Sequence, residues 1–406
     1  MGFCGRLANV NGRMALRFLT AGESHGPALT VIVEGLPAGV SIDRAAIDAD
    51  LRRRQGGYGR GGRMKIETDS VEVLAGVRHG LTLGSPVTLL VRNRDHENWR
   101  DVMSPDPQPD EARARRALKR PRPGHADLAG ALKYGTEDLR NVLERASARE
   151  TTMRVAAGGL ARALLGAVGV ELRSHVLGIG GATVGDTAPI PWDDLAAVDA
   201  DPVRCARGDA AVAMVAAIDG AKKAGDTLGG TFEVVARGLP PGLGAFAQWD
   251  RRLDGRLAQA LMSIPAVKAV ALGSGFAAGE TPGSRFHDAI AYDDARGLHR
   301  PTNRAGGLEG GITNGEELRA QAVVKPIPTL VMPLPSIDLR TKEAQSASVE
   351  RSDTCVVPAA GVVGEAVVAL VLADAVLEKF GGDSLVELQD HLATTRARWR
   401  DFLARR

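Results

Sequence analysis

Cysteine is scarce in this chain: Cys4, Cys205 and Cys355 are the only three in 406 residues. They lie far apart, without the C-x-x-C spacing of metal or redox sites or the dense, even count of a disulfide framework. No metal site is expected, and the thiols read as structural. Net charge is also nearly absent, with 51 Lys and Arg against 49 Asp and Glu. The basic residues crowd locally into 52–65 and 113–122, a pattern that suits small anions better than a polyanion. Long uncharged apolar runs are missing too. The longest apolar stretch, Pro358–Leu377, contains Glu365 and Asp374, which a lipid-facing helix would exclude, so no membrane span is expected. Residues 1–13 hold Arg6 and Arg13 but no apolar h-region, so they do not read as a secretory signal. They are expected to form a disordered extension, with Met14 an alternative start and the cytoplasm the expected location.

What is present, 44% hydrophobic and 25% charged residues, suits a soluble globular protein with a large core or two lobes. Strand-like runs fall at Leu29–Glu34, Val71–Val77, Val87–Val91, Phe232–Ala236, Val267–Leu272 and Ala320–Val324. Helical periodicity marks Asp43–Arg54, Asn141–Gly166, Ala211–Lys223, Arg251–Met262, Val362–Phe380 and Ser384–Phe402. The two kinds of element interleave without a βαβ rhythm, so the fold class is α+β with antiparallel sheets. Residues 22–39, GESHGPALTVIVEGLPAG, also align without a gap on 225–242, GDTLGGTFEVVARGLPPG, with seven identities at an offset of 203. Each copy reads as a glycine turn, a strand, a Gly-Leu-Pro turn and a helix, which implies a duplicated core. His25 becomes Leu228 in the second copy. A residue the shared scaffold needs only once points to chemistry.

Four segments carry candidate chemistry. In Gly22-Glu23-Ser24-His25-Gly26 the glycines permit positive φ or close ligand approach, and the following strand fixes a loop that presents His25. In Arg120-Pro121-Arg122-Pro123-Gly124-His125-Ala126-Asp127 the prolines restrict the loop, so His125 is aimed beside two guanidinia. The alternative there is a connection whose His125 and Asp127 cap the next helix. In Glu144–Thr151, Arg145 and Arg149 stand at i, i+4 and are expected to face one anion, with Ser147 nearby. The small residues Ala146, Ala148, Ala156, Ala157, Gly158 and Gly159 admit close approach of a helix or a flat ring. The fourth segment is Arg351-Ser352-Asp353-Thr354-Cys355.

Two tempting patterns fail on context. Gly273–Ala278 fits a dinucleotide fingerprint, but Gly279-Glu280-Thr281-Pro282-Gly283 follows where a phosphate-binding helix must open. Arg52–Arg63 resembles an RNA-binding RGG patch, yet it holds one aromatic residue and reads better as a flexible anion-binding loop able to close over substrate.

The GESHG pentapeptide, extended through Val33-Glu34-Gly35, resembles the first signature of chorismate synthases. RPRPGHAD, the Glu144–Thr151 block, Arg351–Cys355 leading into Pro358–Gly361, Asn303–Gly311 and Lys325–Thr329 are similar to further family segments in the same order, over about 14–385. The resemblance implies conversion of 5-enolpyruvylshikimate 3-phosphate to chorismate and phosphate by anti 1,4-elimination with reduced FMN. By similarity, His25 sits at the substrate phosphate and protonates it as it leaves, and His125 lies by N1 and the C2 carbonyl of the flavin. Imidazole suits both tasks, with an ordinary pKa of about 6.5. Asp353, with Ser147, would assist removal of the C6 proton near flavin N5. The implied flavin contacts are Arg145, Ala146, Ser147, Ala266, Val267, Gly311, Lys325, Pro326, Ile327, Pro328, Thr329 and Arg351. Arg54 and Arg60 match positions for substrate phosphate or NADPH. Pro328 departs from a serine common in relatives and so removes a hydroxyl and an N–H donor. The resemblance further implies a homotetramer and a β-α-β sandwich, here with halves at about 14–200 and 201–385 and a C-terminal helix. No segment reads as a reductase insert, so a monofunctional enzyme is expected, without nucleic-acid or membrane partners.

Overall fold

Alternation of buried and exposed side chains sets the first sheet: along Ala28–Glu34, Leu29, Val31 and Val33 are buried while Ile32 and Glu34 point outward. The computed structural model describes residues 15–61, 68–185, 189–294, 296–350 and 353–404. The expected extension 1–13, Met14 and Arg351 lie outside them. The first sheet joins β1 (Arg17–Ala21), β2 (Ala28–Glu34), β3 (Glu72–Ala75) and β4 (Val87–Arg92) in the order β1-β2-β4-β3, every pair antiparallel. The second joins β5 (Glu171–Ile179), β6 (Gly230–Arg237), β7 (Val267–Leu272) and β8 (Leu318–Val324) in the order β5-β6-β8-β7, again antiparallel, with Ala182–Thr183 added beyond β5.

The two sheets pair in matching register. Thr20 faces Val31 as Ser174 faces Val234, Val33 faces Val87 as Ala236 faces Leu318, and Leu89 faces Val73 as Ala320 faces Leu272. The expected strands are present, except that Val71–Val77 divides into β3 and a separate Val77–Arg78 ribbon with Leu81–Thr82, and in the two sheets β1 and β5 are additional. The centre of β5, Arg173-Ser174-His175, breaks the apolar pattern, yet Ser174 and His175 are buried on polar partners, Glu365 at 2.6 Å and Glu233 at 3.0 Å.

The longer helices among the described residues are α1 (Arg44–Gln55), α2 (Asp127–Tyr134), α3 (Arg140–Ala146), α4 (Thr151–Ala167), α5 (Gly208–Ala224), α6 (Leu253–Met262), α7 (Val357–Phe380) and α8 (Leu385–Ala404). Helix α4 packs on β2 and β4, α7 packs on β5 and β6, and α4 and α7 pack on each other. A Cβ at Gly158 would lie 2.4 Å from that of Ala366 on α7, and one at Gly159 would lie 2.8 Å from Ile47 on α1. At Gly158 and Gly159 the small-residue stripe therefore seats helices. Helix α7 is long and apolar enough to cross a membrane, but 94% of its most apolar window is buried, so it is the core helix. Its Glu365 accepts from Arg53, Arg162, Arg204 and Ser174. Asp374 accepts from the Leu16 backbone N–H at 2.7 Å and pairs with Arg256.

The helix expected over Asn141–Gly166 is interrupted. Ser147 is extended, with φ −64° and ψ 141°, and Ala148–Glu150 forms a single 3-10 turn before α4. The Ser147 hydroxyl accepts from the Arg149 N–H at 3.3 Å, a local bond that competes with helix continuation.

Candidate active site

The loop between β1 and β2 is bound to α3. Gly22 has φ +106°, and a Cβ there would lie 2.5 Å from the Ala28 carbonyl oxygen, so the turn needs glycine. Ser24 N–H donates to the Glu144 carbonyl at 2.9 Å, and His25 N–H donates to Glu144 Oε2 at 2.9 Å. The His25 ring presents Nδ1 to the same carboxylate at 2.9 and 3.0 Å and stacks on Trp99 at 4.0 Å with an interplanar angle of 26°. Guanidinia of Arg116 and Arg140 cover the Trp99 ring at 4.0 and 4.9 Å. The Asn93 amide donates to Glu23 O at 3.1 Å and Gly26 O at 2.8 Å, and the Ser147 hydroxyl donates to Ser24 Oγ at 3.2 Å. His25 is thus held on its backbone, one ring nitrogen and one ring face. Burial would raise the Glu144 carboxyl, but bonds from His25 and Arg140 hold it below the ordinary carboxylate range. At the matching position Leu228 packs against Gly180 and the core.

Arg145 and Arg149 do not face one anion, because the break at Ser147 turns them apart. Arg145 donates to the Gly22 and Thr20 carbonyls at 3.0 Å, pinning the His25 loop. Arg149 is buried on Asp69 Oδ2 at 2.6 Å and Asn93 Oδ1 at 2.9 and 3.0 Å. Arg54 lies beside it, donating from Nε to Thr151 Oγ1 at 2.9 Å and from Nη2 to Ala148 O at 3.0 Å. Among the described residues its buried Nη1 has no hydrogen-bond partner. Burial and then the Arg149 charge push Arg54 down to about 9, strain that a bound anion would relieve. Arg60 pairs with Asp353 at 3.2 Å, Gly61 N–H donates to Asp353 Oδ1 at 2.6 Å, and both charges act on Arg54. Arg53 and Arg54 belong to the last turn of α1, not to a flexible loop, and Arg53 is committed to Glu365 at 2.7 Å. Gly62 and Arg63 of the same segment lie outside the described residues.

His125 stands in a second group. Its Nδ1 meets Asp127 Oδ1 at 2.5 Å and Arg122 Nη2 at 3.0 Å, while Arg122 Nε donates to Asp127 Oδ2 at 2.8 Å. Asp127 makes no side-chain cap for α2 and instead orients this pair. Burial opposes its charge, yet His125 and Arg122 hold its carboxyl far below the usual range. Arg122 Nη1 donates to Thr329 Oγ1 at 3.0 Å, Lys325 Nζ donates to Gly124 O, and Pro328 packs against the Gly124 turn. Lys325 N–H donates to Ala266 O at 2.9 Å, and Val267 pairs with Val324. Thr227 Oγ1 donates to Ile327 O at 2.8 Å. A Cβ at Gly229 would lie 2.9 Å from Pro326 N, so glycine lets this segment pass. His125, Ala266, Val267 and Lys325–Thr329 therefore come together. The Gly311 carbonyl accepts from Leu253 N–H at 2.9 Å, at the start of α6.

Sequence reasoning missed Glu144, Trp99, Arg140, Asp69 and Asn93 as site residues. Glu144 stands immediately before Arg145, but nothing in its spacing reveals that its carboxylate turns inward to His25.

A family model described as chorismate synthase matches residues 16–377. The chain is 61% identical over 381 residues to the chorismate synthase of Moorella thermoacetica, covering 94% of this chain and 98% of that protein. It is 57% identical over 376 residues to that of Symbiobacterium thermophilum, covering 92% and 96%. A crystal structure of a chorismate synthase superposes with a TM-score of 0.76 at 40% identity, covering 94% of this chain and 97% of that one. With the match running through both the His25 and the His125 groups, the chain belongs to the chorismate synthase family.

Proposed function

We propose that the groups around His25, Arg54, Arg60 and His125 form one active site for the family reaction, in which 5-enolpyruvylshikimate 3-phosphate loses phosphate and a C6 proton to give chorismate. The observation that carries this reading is the His25 imidazole, fixed by a buried carboxylate through Nδ1 and stacked on Trp99. Its Nε2 holds the proton that passes to a phosphate oxygen as the C3–O bond breaks. Arg54 and Arg60 bind the anionic ends of the substrate, a role supported by the buried Nη1 of Arg54, which among the described residues has no hydrogen-bond partner and only Asp69 at 3.7 Å as an ion pair. Asp353, held by Arg60 and Gly61 N–H, receives the C6 proton, with Ser147 beside the His25 loop. NADPH is the other candidate for the Arg54 and Arg60 positions, and we take the enzyme to be monofunctional.

The residues around His125 fit reduced FMN. Burial and the neighbouring Lys268 charge lower Lys325, and among the described residues neither lysine forms an ion pair with a carboxylate. That pair suits an anionic tail. Ala266, with a left-handed φ of +73°, Val267 and Lys325–Thr329 supply backbone at the same place, and Arg145, Ala146 and Ser147 are contacts inferred from the family resemblance. Bound there, reduced FMN would supply electron density for breaking the C–O bond, in a reaction that is redox-neutral overall. His125, set by Asp127 and Arg122, would hold a proton for the flavin ring. Gly311 and Arg351 remain contacts inferred from the family alone.

The matching registers and helix packing support a β-α-β sandwich built from a duplicated unit, with halves at about 14–200 and 201–385. Exposed apolar side chains such as Leu19, Ile32, Phe246 and Trp249 support burial between copies in a homotetramer, and we place the enzyme in the cytoplasm. Anaerobic turnover of the enolpyruvyl substrate tests the reading. Chorismate is expected only with reduced FMN, and equal turnover without flavin would overturn it.

A further inference from the structure

We infer that Glu144 is a positioning residue that fixes the tautomer and aim of His25, so that Nε2 is the nitrogen presented to substrate. This inference rests on the reading of His25 as proton donor given above. An ionised carboxylate only accepts hydrogen bonds, and Nδ1 lies 2.9 Å from Oε2 and 3.0 Å from Oε1, so Nδ1 carries its hydrogen in both protonation states of the ring. The mobile proton must then sit on Nε2. Turning the ring by 180° would replace Nδ1 with a carbon and break both contacts.

The support around Glu144 is built for rigidity. Its carboxylate also takes the His25 backbone N–H at 2.9 Å, and its carbonyl takes the Ser24 N–H at 2.9 Å, so one residue of α3 holds both residues of the loop. Arg140, one turn earlier on α3, donates to Oε1 at 3.0 Å and keeps the carboxylate charged although it is buried. Trp99 closes one ring face, and His96 Nδ1 binds His25 O at 2.9 Å. Charged or titratable groups near His25 include Glu144, Arg140 and Arg145 from α3, His96 from the 3-10 turn that carries Trp99, and Arg116 over the indole. Glu350 reaches the group through Arg140 at 3.3 Å.

Full-length protein labelled with 15N-histidine, free of substrate and flavin, tests the inference. The neutral ring of wild-type His25 is expected to show a single Nδ1–H tautomer, and Glu144→Gln to show a mixture of tautomers. In turnover assays Glu144→Gln is expected to lower kcat about 10- to 100-fold, with KM changed less than about 3-fold. Glu144→Asp, which keeps the charge, should retain the Nδ1–H tautomer and restore part of kcat. It also serves as the test variant if Glu144→Gln does not fold. An unchanged nitrogen signature in Glu144→Gln, or loss of the Nδ1–H tautomer in folded Glu144→Asp, would overturn the inference. Because the spectrum needs no turnover, failure of the wild type to make chorismate would defeat the functional reading separately.

Discussion

Thr82 and Thr313 make the same set of hydrogen bonds behind the two central strands. The Thr82 hydroxyl donates to Pro37 O at 2.6 Å and accepts from Val40 N–H at 2.9 Å, and its backbone pairs with Gly39 and Val40 at 2.9 and 3.0 Å. The Thr313 hydroxyl donates to Pro240 O at 2.7 Å and accepts from Leu243 N–H at 2.8 Å, and its backbone pairs with Gly242 and Leu243 at 2.8 and 3.0 Å. Each threonine, 3% exposed, fastens the Gly-Leu-Pro turn that follows β2 or β6.

Replacing either hydroxyl by a methyl leaves a buried N–H and a buried carbonyl without their partner. Thr82→Val and Thr313→Val are each expected to cost about 1–3 kcal/mol. The double variant should lose about the sum, because the sites share no partners. Chemical denaturation at one fixed protein concentration checks both. Strong non-additivity would show that the turns are coupled through the core.

His25→Ala should lower kcat by about 10²-fold or more. Arg140 still pairs with Glu144 in that variant, so the melting temperature should barely move, and flavin affinity should stay near wild type. Flavin titration and thermal melts are the measurements. A large loss of stability with a small kinetic loss would make His25 a structural residue.

Legibility in the sequence followed the kind of interaction involved. The strands that alternate apolar and polar residues, such as β2 and β4, were readable because burial on one face imposes a period of two. β5 was hidden, because Ser174 and His175 are buried on charged partners far away in sequence, Glu365 and Glu233. The break at Ser147 was hidden for a different reason: composition on both sides favours helix, and a local side-chain bond decides the outcome. The same break separates Arg145 from Arg149, which spacing alone placed on one face. His25 and His125 stood out from their turns, whereas Glu144 and Trp99 act through long-range contacts that no local pattern encodes.

Two glycines of α4 should respond oppositely to alanine. At Gly158 a new Cβ would lie 2.4 Å from that of Ala366, so α4 and α7 must separate. At exposed Gly166 nothing lies within 4 Å of the new atom. Gly158→Ala is therefore expected to destabilise by about 1–3 kcal/mol, and Gly166→Ala to stabilise by up to about 1 kcal/mol. Paired thermal melts decide it, and stabilisation by both would mean that the helix contact is looser than it looks.

Acid should expose the role of Glu365. This carboxylate is 1% exposed, and burial alone would raise it, but Arg53, Arg162 and Arg204 hold it well below the ordinary range. A carboxyl with a depressed native pKa binds its proton more readily in the unfolded chain. Its stabilising contribution is therefore complete above the unfolded value of about 4.3 and is lost as pH falls toward the native value. Asp127, Glu144 and Glu233 are shifted in the same direction and act together with it. Stability is thus expected to hold from pH 8 to about 5 and to fall steeply below about 4. Glu365→Gln leaves three guanidinia around a neutral amide and should cost about 3–5 kcal/mol at neutral pH. Its decline in acid should then be shallower than that of the wild type, because one depressed carboxyl has been removed. Denaturant midpoints measured across pH 3–8 for both proteins separate the outcomes: curves that run parallel would show that Glu365 is already neutral in the native protein.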